Sequence, residues 1–383
     1  MITTPVTASL VRGAAEVEQT PRGVRPHRLP GWVPTQFPDP QLLMVESQPS
    51  GVRLTMATTA RTVALVCHPA RVAYRDTHRP RGSVDLVVDG TLVASAELGG
   101  GDLVEVDLRT GTSDFQPGAA HTTTFSDLPG GDKIVEIWLP HNESVELIEL
   151  HTDEPVSPAA PDRRLWVHHG SSISHGSNAS TPSRVWPAVA ARRTGVELRN
   201  LGLGGSALVD PFTARVIRDA PADLISVKLG INVVNLDGMR LRTFVPAVAG
   251  FLDTIRDGHP DTPLVLISPI FCAIHEDTPG PGAIDPGSLG TDQIMFTATG
   301  RPGDRDLGRL TLQVIREALA TLAERRATDP NLHYLDGTRL YGEKDAAEHP
   351  LPDALHPDTT THQLIGERFA DYAFAPDGPF ATR

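Results

Sequence analysis

The chain has 383 residues, a length that suits two domains better than one small module. Hydrophobic residues make up 39% and charged residues 21%, and the sequence contains no repeat or low-complexity tract, so disorder is excluded as its main state. The 34 Lys and Arg residues against 47 Asp and Glu residues give a net charge of −13, which disfavours a basic phosphate-binding face. We therefore expect no nucleic-acid partner.

The first residues and the two cysteines bear on location and cofactors. Residues 1–13 contain no apolar run of about 7–15 residues, and no later stretch reaches the roughly 18 apolar residues that cross a bilayer. These features predict a cytoplasmic protein with no membrane partner. Cys67 and Cys272 lie far apart and lack metal-ligand spacing, so both are predicted to be buried free thiols.

Residues 41–152 show the pattern typical of short strands separated by turns. Apolar and polar residues alternate with a period of two in four stretches, at residues 62–67, 103–108, 134–139 and 145–150. Two apolar runs within residues 84–98 flank Asp89-Gly90, a pair favoured in two-residue hairpin turns. This spacing predicts a β-sandwich or jelly roll, an all-β N-terminal domain assigned to residues 1–155.

A stretch without periodicity, residues 152–162, contains three Pro and separates this domain from a second one assigned to residues 163–383. Beyond it, apolar runs and amphipathic segments alternate, which predicts an α/β domain with a parallel sheet. The predicted strands cover residues 165–168, 223–229, 264–270 and 332–335, and the predicted helices cover residues 184–193, 244–256, 306–326 and 359–372.

Loops that follow parallel strands converge at the carboxyl edge of a sheet, so each is a candidate for chemistry. Residues 169–176 hold Ser172, a candidate nucleophile, although Ser and Gly are also ordinary in strand-to-helix turns. Residues 200–207 are rich in Gly, which lets backbone N–H groups approach a ligand closely. The acidic balance and the lack of a Gly-Lys-Ser/Thr sequence argue against a nucleotide at this second loop.

Two later loops add an amide, a carboxylate and an imidazole. Asn232 follows the strand predicted at residues 223–229, where a buried, hydrogen-bonded Asn is the plainer interpretation. Asp353 and His356, three residues apart, can hydrogen-bond so that the carboxylate fixes the imidazole tautomer. The other imidazole nitrogen is then a general base, and such a unit activates a serine.

The order and spacing of the four loops over residues 163–372 resemble the SGNH, or GDSL, family of serine esterases and acyltransferases. The resemblance implies a flavodoxin-like, parallel-sheet hydrolase domain. It also implies catalytic roles for Ser172 as nucleophile, His356 as base and Asp353 as orienting acid, and an oxyanion hole built from Ser172, Gly205 and Asn232. Two neighbouring positions depart from the family pattern: Ser171 stands where the name motif has Asp, and Val233 where the third block often has Asp.

Several histidines flank these loops, namely His168, His169, His175, His349 and His362. They show neither His-x-x-x-His spacing nor a companion Cys, so we expect no metal and no bound cofactor. Packing and hydrogen bonding are the expected roles of His168 and His169. An acyl thioester such as acyl-CoA is a candidate co-substrate rather than a cofactor.

The resemblance implies acyl transfer through an acyl-Ser172 intermediate. With a cytoplasmic location, the two-domain layout is similar to actinobacterial tailoring acyltransferases of glycosylated aromatic polyketide pathways, including tetracycline-type ones. The hypothesis is therefore an O-acyltransferase that takes an acyl group from a thioester or ester donor to a small-molecule hydroxyl, for example on a sugar-bearing natural product. A carbohydrate or small-molecule ester hydrolase and a non-catalytic carbohydrate-binding protein are the alternatives.

A Pro- and Gly-rich segment, residues 271–304, begins at a predicted strand end and is too long for an ordinary connection. A lid or pocket wall and a disordered insertion are the two interpretations. We expect this segment and the N-terminal domain to choose the acceptor together.

Overall fold

The computed structural model describes residues 1–77, 79–291 and 293–382, and the chain divides into two compact units. The first unit contains residues 1–163 together with 180–183, and the second contains residues 164–179 and 184–383. The grouping of residues 180–183 with the first unit is a feature that hydrophobic periodicity does not reveal.

The first unit is built mostly from strands. They are β1 (Ile2–Pro5), β2 (Val11–Arg12), β3 (Glu16–Gln19), β4 (Val24–His27), β5 (Arg53–Thr58), β6 (Val63–Tyr74), β7 (Ser83–Val88), β8 (Thr91–Glu97), β9 (Asp102–Val106), β10 (Ser113–Gln116), β11 (His121–Phe125), β12 (Lys133–Trp138), β13 (Ser144–Thr152) and β14 (Val156–Pro158). Two short helices, α1 (Trp32–Gln36) and α2 (Pro40–Glu46), correct the expectation of an all-β domain. Pro40 opens α2, and the Asp39 side chain accepts the Leu42 N–H at 2.8 Å as a cap.

The strands of the first unit form two sheets over one apolar core. The larger has the order β10-β9-β6-β13-β4-β3, with β1 on β13 and β11 on β6, and the smaller has the order β14-β5-β12-β7-β8, with β2 on β5. Buried side chains of both sheets, such as Leu65, Ile137 and Leu147, belong to one hydrophobic cluster. The β-sandwich predicted for the N-terminal domain is confirmed, with two short helices added to it.

The hairpin predicted around Asp89-Gly90 is also confirmed. β7 pairs antiparallel with β8, and Asp89 and Gly90 have φ angles of 47° and 81°. Two successive positive φ angles define a type I′ turn, whose twist matches that of the flanking strands.

The second unit alternates strands and helices around a five-stranded parallel sheet. Its elements are β15 (Leu165–Gly170), α3 (Ser172–His175), α4 (Trp186–Thr194), β16 (Glu197–Gly202), α5 (Pro211–Asp219), β17 (Leu224–Lys228), α6 (Ile231–Asn235), α7 (Leu241–Gly258), β18 (Leu264–Ile267), β19 (Gly282–Ile284), β20 (Phe296–Ala298), α8 (Leu312–Arg325), β21 (Leu332–Leu335), α9 (Glu343–Glu348) and α10 (Thr359–Ala373). The sheet order is β16-β15-β17-β18-β21, and β19 and β20 form a separate antiparallel pair. The predicted α/β fold is confirmed.

One predicted helix begins in the wrong place. The apolar spacing of residues 306–326 predicted a single helix, but α8 begins at Leu312 after a 3₁₀ turn at Pro302–Leu307. Thr311 caps α8 by accepting the Val314 N–H at 3.3 Å, and Leu307 is 75% exposed. A capping side chain therefore sets the helix start, and the apolar stripe does not extend to Leu307.

This sheet order decides where the predicted loops meet. The chain moves from β15 to β16 on one side and then crosses to β17 on the other side. Such a reversal opens a crevice at the carboxyl ends of β15 and β17, where ligands of open α/β sheets bind. Within the described residues, every helix falls short of the length and apolarity that a membrane crossing needs.

Candidate active site

Ser172 lies at the first position of α3, immediately after β15. The carbonyl of Ser171 accepts the N–H groups of Ser174 and His175 at 3.0 and 2.9 Å, which closes the first helical turn. Ser171 is 1% exposed, whereas Ser172 is partly exposed. Because the first N–H groups of a helix have no partner within the helix, the Ser172 N–H can serve a bound group.

The structure brings His356 and Asp353 to Ser172. The Nε2 of His356 lies 2.9 Å from the Oγ of Ser172, and its Nδ1 lies 2.8 Å from the Oδ2 of Asp353. An ionised carboxylate only accepts hydrogen bonds, so Nδ1 carries the proton and Nε2 is left to accept the Ser172 O–H. This is the geometry in which a serine hydroxyl can lose its proton to a base.

The backbone of the turn that carries Asp353 donates hydrogen bonds to the Asp353 carboxylate. Oδ1 accepts the N–H groups of Leu355 and His356 at 2.9 and 2.6 Å. Ala354, between them, has a φ of 68°, in the left-handed region that a residue with a Cβ seldom adopts. Burial raises the pKa of Asp353, but hydrogen bonds from His356 and Leu355 and the His356 charge outweigh it, so the pKa lies below its ordinary value. Asp353 is therefore an anion at neutral pH.

A further contact to Asp353 was missed by the sequence analysis. Asn178, in the loop after α3, donates from Nδ2 to Oδ2 of Asp353 at 3.0 Å. Asn178 has a φ of 65°, and Asn is one of the few residues besides Gly that enters this region readily. The sequence signal was therefore a single Asn in a turn, with nothing that pointed to its partner 175 positions away.

The Gly-rich second loop packs against the helix that begins at Ser172. Asn200 donates from Nδ2 to the Ser174 carbonyl at 2.9 Å. A Cβ on Gly202 would lie 2.4 Å from the His175 nitrogen, and one on Gly204 would lie 3.6 Å from the Ser172 Cα. Gly202 is therefore required for close approach, and Gly205, which follows Gly204 in the sequence, has a φ of 72°.

A hydrogen bond to Asn232 connects the third loop to the second. Asn232 lies in α6, two residues after Gly230, whose φ is 127°. Its Oδ1 accepts the Ala207 N–H at 3.2 Å, so the Nδ2 group faces the opposite way. Loops one, two and four thus meet at Ser172, and Asn232 is hydrogen-bonded to loop two.

Two buried histidines form hydrogen bonds with residues of the segment that contains Ser172. The ring of His168 lies between the hydroxyls of Ser226 and Ser174 at 2.7 and 2.8 Å, and burial lowers its pKa well below the usual range. His362 donates from Nε2 to the Ser177 carbonyl at 3.0 Å and accepts the Trp186 N–H at 3.3 Å. Both rings are neutral structural groups, as expected for His168.

Other predicted polar groups also have local roles. His169 donates from Nδ1 to the Leu201 carbonyl at 2.8 Å, and His175 accepts the Gly204 N–H at 3.4 Å. Cys67 and Cys272 are buried free thiols, as predicted. Over residues 1–77, 79–291 and 293–382, the His, Cys, Asp and Glu side chains form no group of three that could hold a metal ion.

The segment of residues 271–304 lies beside the base; residue 292 in it is outside the described residues. Its β19–β20 hairpin places the Phe296 ring 5.4 Å from the His356 ring, edge to face at 80°. The Phe296 N–H donates to the Asp353 carbonyl at 2.9 Å, and Gln293 donates from Nε2 to the Pro352 carbonyl at 2.7 Å. The segment therefore forms one wall next to His356.

A parallel α/β domain with a Ser–His–Asp series at its carboxyl edge defines a class of serine acyltransferases and esterases. Residues 169–364 match the GDSL-like Lipase/Acylhydrolase family, and since this is just over half of the chain, the protein belongs to that family. It is an SGNH-type serine enzyme of acyl transfer or ester hydrolysis. Residues 10–147 match the N-terminal domain of SsfX3.

Solved structures extend the likeness to the whole chain. The chain is similar to the salicylyl-acyltransferase SsfX3 from a tetracycline biosynthetic pathway, with 28% identity, a TM-score of 0.78 and coverage of 96% of this chain and 95% of that one. It shares its fold with the acetyl xylan esterase Est2A of Butyrivibrio proteoclasticus, at 13% identity and a TM-score of 0.54 over 98% and 97% of the two chains. The same holds for a family two carbohydrate esterase of Clostridium thermocellum, at 14% identity and a TM-score of 0.54 over 84% and 91%. No curated protein sequence matches the chain.

Proposed function

We propose that the enzyme is an O-acyltransferase that carries its acyl group on Ser172 and delivers it to a hydroxyl of a small molecule. The observation that carries the proposal is the 2.9 Å approach of His356 Nε2 to Ser172 Oγ, with Asp353 on the other ring nitrogen. The likeness to SsfX3 through both units supports transfer as the outcome.

In the first half-reaction, Ser172 Oγ attacks the carbonyl carbon of the donor while its proton passes to Nε2 of His356. The anionic Asp353 orients the His356 ring and stabilises the imidazolium that forms. The N–H groups of Ser172 and Gly205 and the side chain of Asn232 are assigned to the oxyanion; removing one such donor typically costs about 10²–10³ in turnover. The bond to the leaving group then breaks, and the leaving group takes the proton from His356.

In the second half-reaction, an acceptor hydroxyl loses its proton to His356 and attacks the acyl-Ser172 carbonyl carbon. The bond between that carbon and Ser172 Oγ breaks, and the proton returns from His356 to Ser172. If water takes the place of the alcohol, the same steps give ester hydrolysis. Transferase and esterase therefore share one intermediate and differ in which nucleophile is bound beside His356.

The likeness to SsfX3 supports a proposal for the substrate classes. We propose an aromatic acyl group, a donor that is an acyl thioester such as acyl-CoA, and a polycyclic or glycosylated hydroxyl acceptor. Acyl thioesters are cytoplasmic metabolites, which supports a cytoplasmic location. Every step uses side-chain and backbone groups of the chain, so the proposal includes no metal and no bound cofactor.

The test is intact-mass spectrometry after incubation with a panel of aryl and alkyl thioesters and p-nitrophenyl esters. Wild type should gain the acyl mass, and Ser172→Ala should not. Ser171→Ala, which removes a buried hydroxyl one residue away, is the matched control and should still be acylated. An adduct on Ser172→Ala but not on Ser171→Ala would show that the nucleophile is assigned to the wrong serine. No adduct and no fluorophosphonate labelling of wild type would support a binding protein instead.

A further inference from the structure

Asn178 joins the loop of Ser172 to the turn of His356. Its Nδ2 donates to Oδ2 of Asp353 at 3.0 Å, the same oxygen that accepts Nδ1–H of His356 at 2.8 Å. The two segments are 175 positions apart in the sequence. The contact therefore ties the segment that carries the nucleophile to the turn that carries its base.

The backbone holds Asn178 at a set position relative to Ser172. The Ser177 N–H donates to the Ser172 carbonyl at 3.0 Å, and the Ala179 N–H donates to the Gly176 carbonyl at 2.9 Å. Between them, Asn178 adopts a φ of 65°. Both Gly and Asn suit this backbone, but only Asn also supplies an amide that reaches Asp353.

Asp353 has four described hydrogen-bond donors, and they divide unequally between the two segments. Three come from Leu355 and His356 in its own turn. Asn178 alone among these four comes from the segment that carries Ser172. Loss of Asn178 would therefore leave the carboxylate oriented within its turn but remove its described tie to the nucleophile loop.

We propose that Asn178 is a positioning residue of the acyl-transfer reaction, which stabilises the Asp353 anion and braces the Asp353–His356 pair against the loop of Ser172. This inference rests on the proposed function of that pair. It assigns Asn178 no contact with the substrate, so its effect should appear in the rate of the chemical steps and their pH dependence, and not in KM.

Two described titratable groups interact with Asp353. One is the His356 imidazole on its own turn, and the other is the Cys272 thiol after β18, which donates to the Ala354 carbonyl at 3.4 Å. Burial raises the pKa of Cys272 to about 12, so this thiol is neutral throughout an assay between pH 5 and 9. A change in the acid limb caused by Asn178 variants is therefore transmitted through Asp353 and His356.

The test uses Asn178→Gly and Asn178→Asp in the full chain, with p-nitrophenyl acetate as substrate between pH 5 and 9. Asn178→Gly keeps the backbone and removes the amide, and we expect kcat to fall about tenfold with KM unchanged, since a hydrogen bond to a charged group is lost. Asn178→Asp would place a second carboxylate about 3 Å from the first, where two anions share a proton. Its kcat should fall further, and its acid limb should move to higher pH.

The control is Asn331→Asp, which adds the same charge at the amino end of β21 and should leave kcat and the pH profile unchanged. Melting temperatures establish that each variant is folded, and Asn178→Gly suffices if Asn178→Asp does not fold. Wild-type kcat and pH profile in a folded Asn178→Gly would overturn the inference, because a purely structural turn tolerates Gly. Ser172→Ala, run in parallel, separates the two proposals: activity that persists there overturns the proposed function, whereas Ser172-dependent activity with silent Asn178 variants overturns only the role of Asn178.

Discussion

Acid should weaken the folded state through His362, the ring that ties the Ser172 loop to α10. Burial lowers the pKa of His362 to about 4, against 6.5 for an ordinary His. Between these values the unfolded chain binds the proton more readily, so the free energy of unfolding falls as pH falls. With about 1.4 kcal/mol per pKa unit, integration from pH 7 to pH 5 assigns a loss of about 2 kcal/mol to this one group.

The assay is urea unfolding at pH 7 and pH 5, followed by circular dichroism and by tryptophan fluorescence, in wild type and His362→Gln. Gln can still donate to the Ser177 carbonyl and accept the Trp186 N–H, but it does not titrate. Burial also lowers the pKa of His168 and of His275, so wild type loses more than His362 alone explains, and the difference between the two proteins isolates His362. A stability difference that stays the same at both pH values would refute the reasoning.

Three further predictions concern the site. His356→Ala should slow acyl-enzyme formation by about 10⁶-fold and Asp353→Asn by about 10⁴-fold, measured as the p-nitrophenol burst; equal losses would contradict separate roles. Burial lowers the pKa of Lys228 to about 8 from 10.5, so this group should add about 2 kcal/mol to the free energy of unfolding between pH 8 and pH 10. The buried thiols of Cys67 and Cys272, whose pKa burial raises to about 12, act in the opposite direction in both proteins, so the test is the stability difference between wild type and Lys228→Met in urea titrations, which should change by about 2 kcal/mol. Phe296→Ala should increase hydrolysis relative to transfer several-fold in a partition assay, while formation of acyl-Ser172 changes less; an unchanged ratio would show that the ring does not exclude water.

The sequence predicted the features that depend on local patterns. Alternation located the strands, and the Asp89-Gly90 pair located a hairpin whose two positive φ angles that pair accommodates. The loops of Ser172 and His356 were found because each follows or precedes an element with clear periodicity. Their convergence follows from parallel strands, whose carboxyl ends share one edge of the sheet.

The remaining features depend on contacts between distant parts of the chain. No local pattern connects Asn178 to Asp353 or Phe296 to His356, because each pair is created by the packing of separate loops. The start of α8 was misplaced for a related reason. The apolar spacing extends to residues before Thr311, but the Thr311 hydroxyl caps the helix there, so α8 begins at Leu312. Spacing reports which face of an element is apolar, whereas caps and cross-loop hydrogen bonds decide where it stops and what it touches.

The segment of residues 271–304, which forms a wall beside His356, connects the rate of the chemical steps with the choice of acceptor. The segment that supplies the Phe296 ring also holds the base turn through the Phe296 N–H on Asp353 and the Gln293 amide on Pro352. Water at roughly 55 M outcompetes a dilute alcohol unless the alcohol is bound and oriented next to the base. The same segment would therefore both contact a bound alcohol and hold the turn that carries His356 in place. A change within residues 282–298 should therefore alter both the partition of acyl-Ser172 and the efficiency of its base.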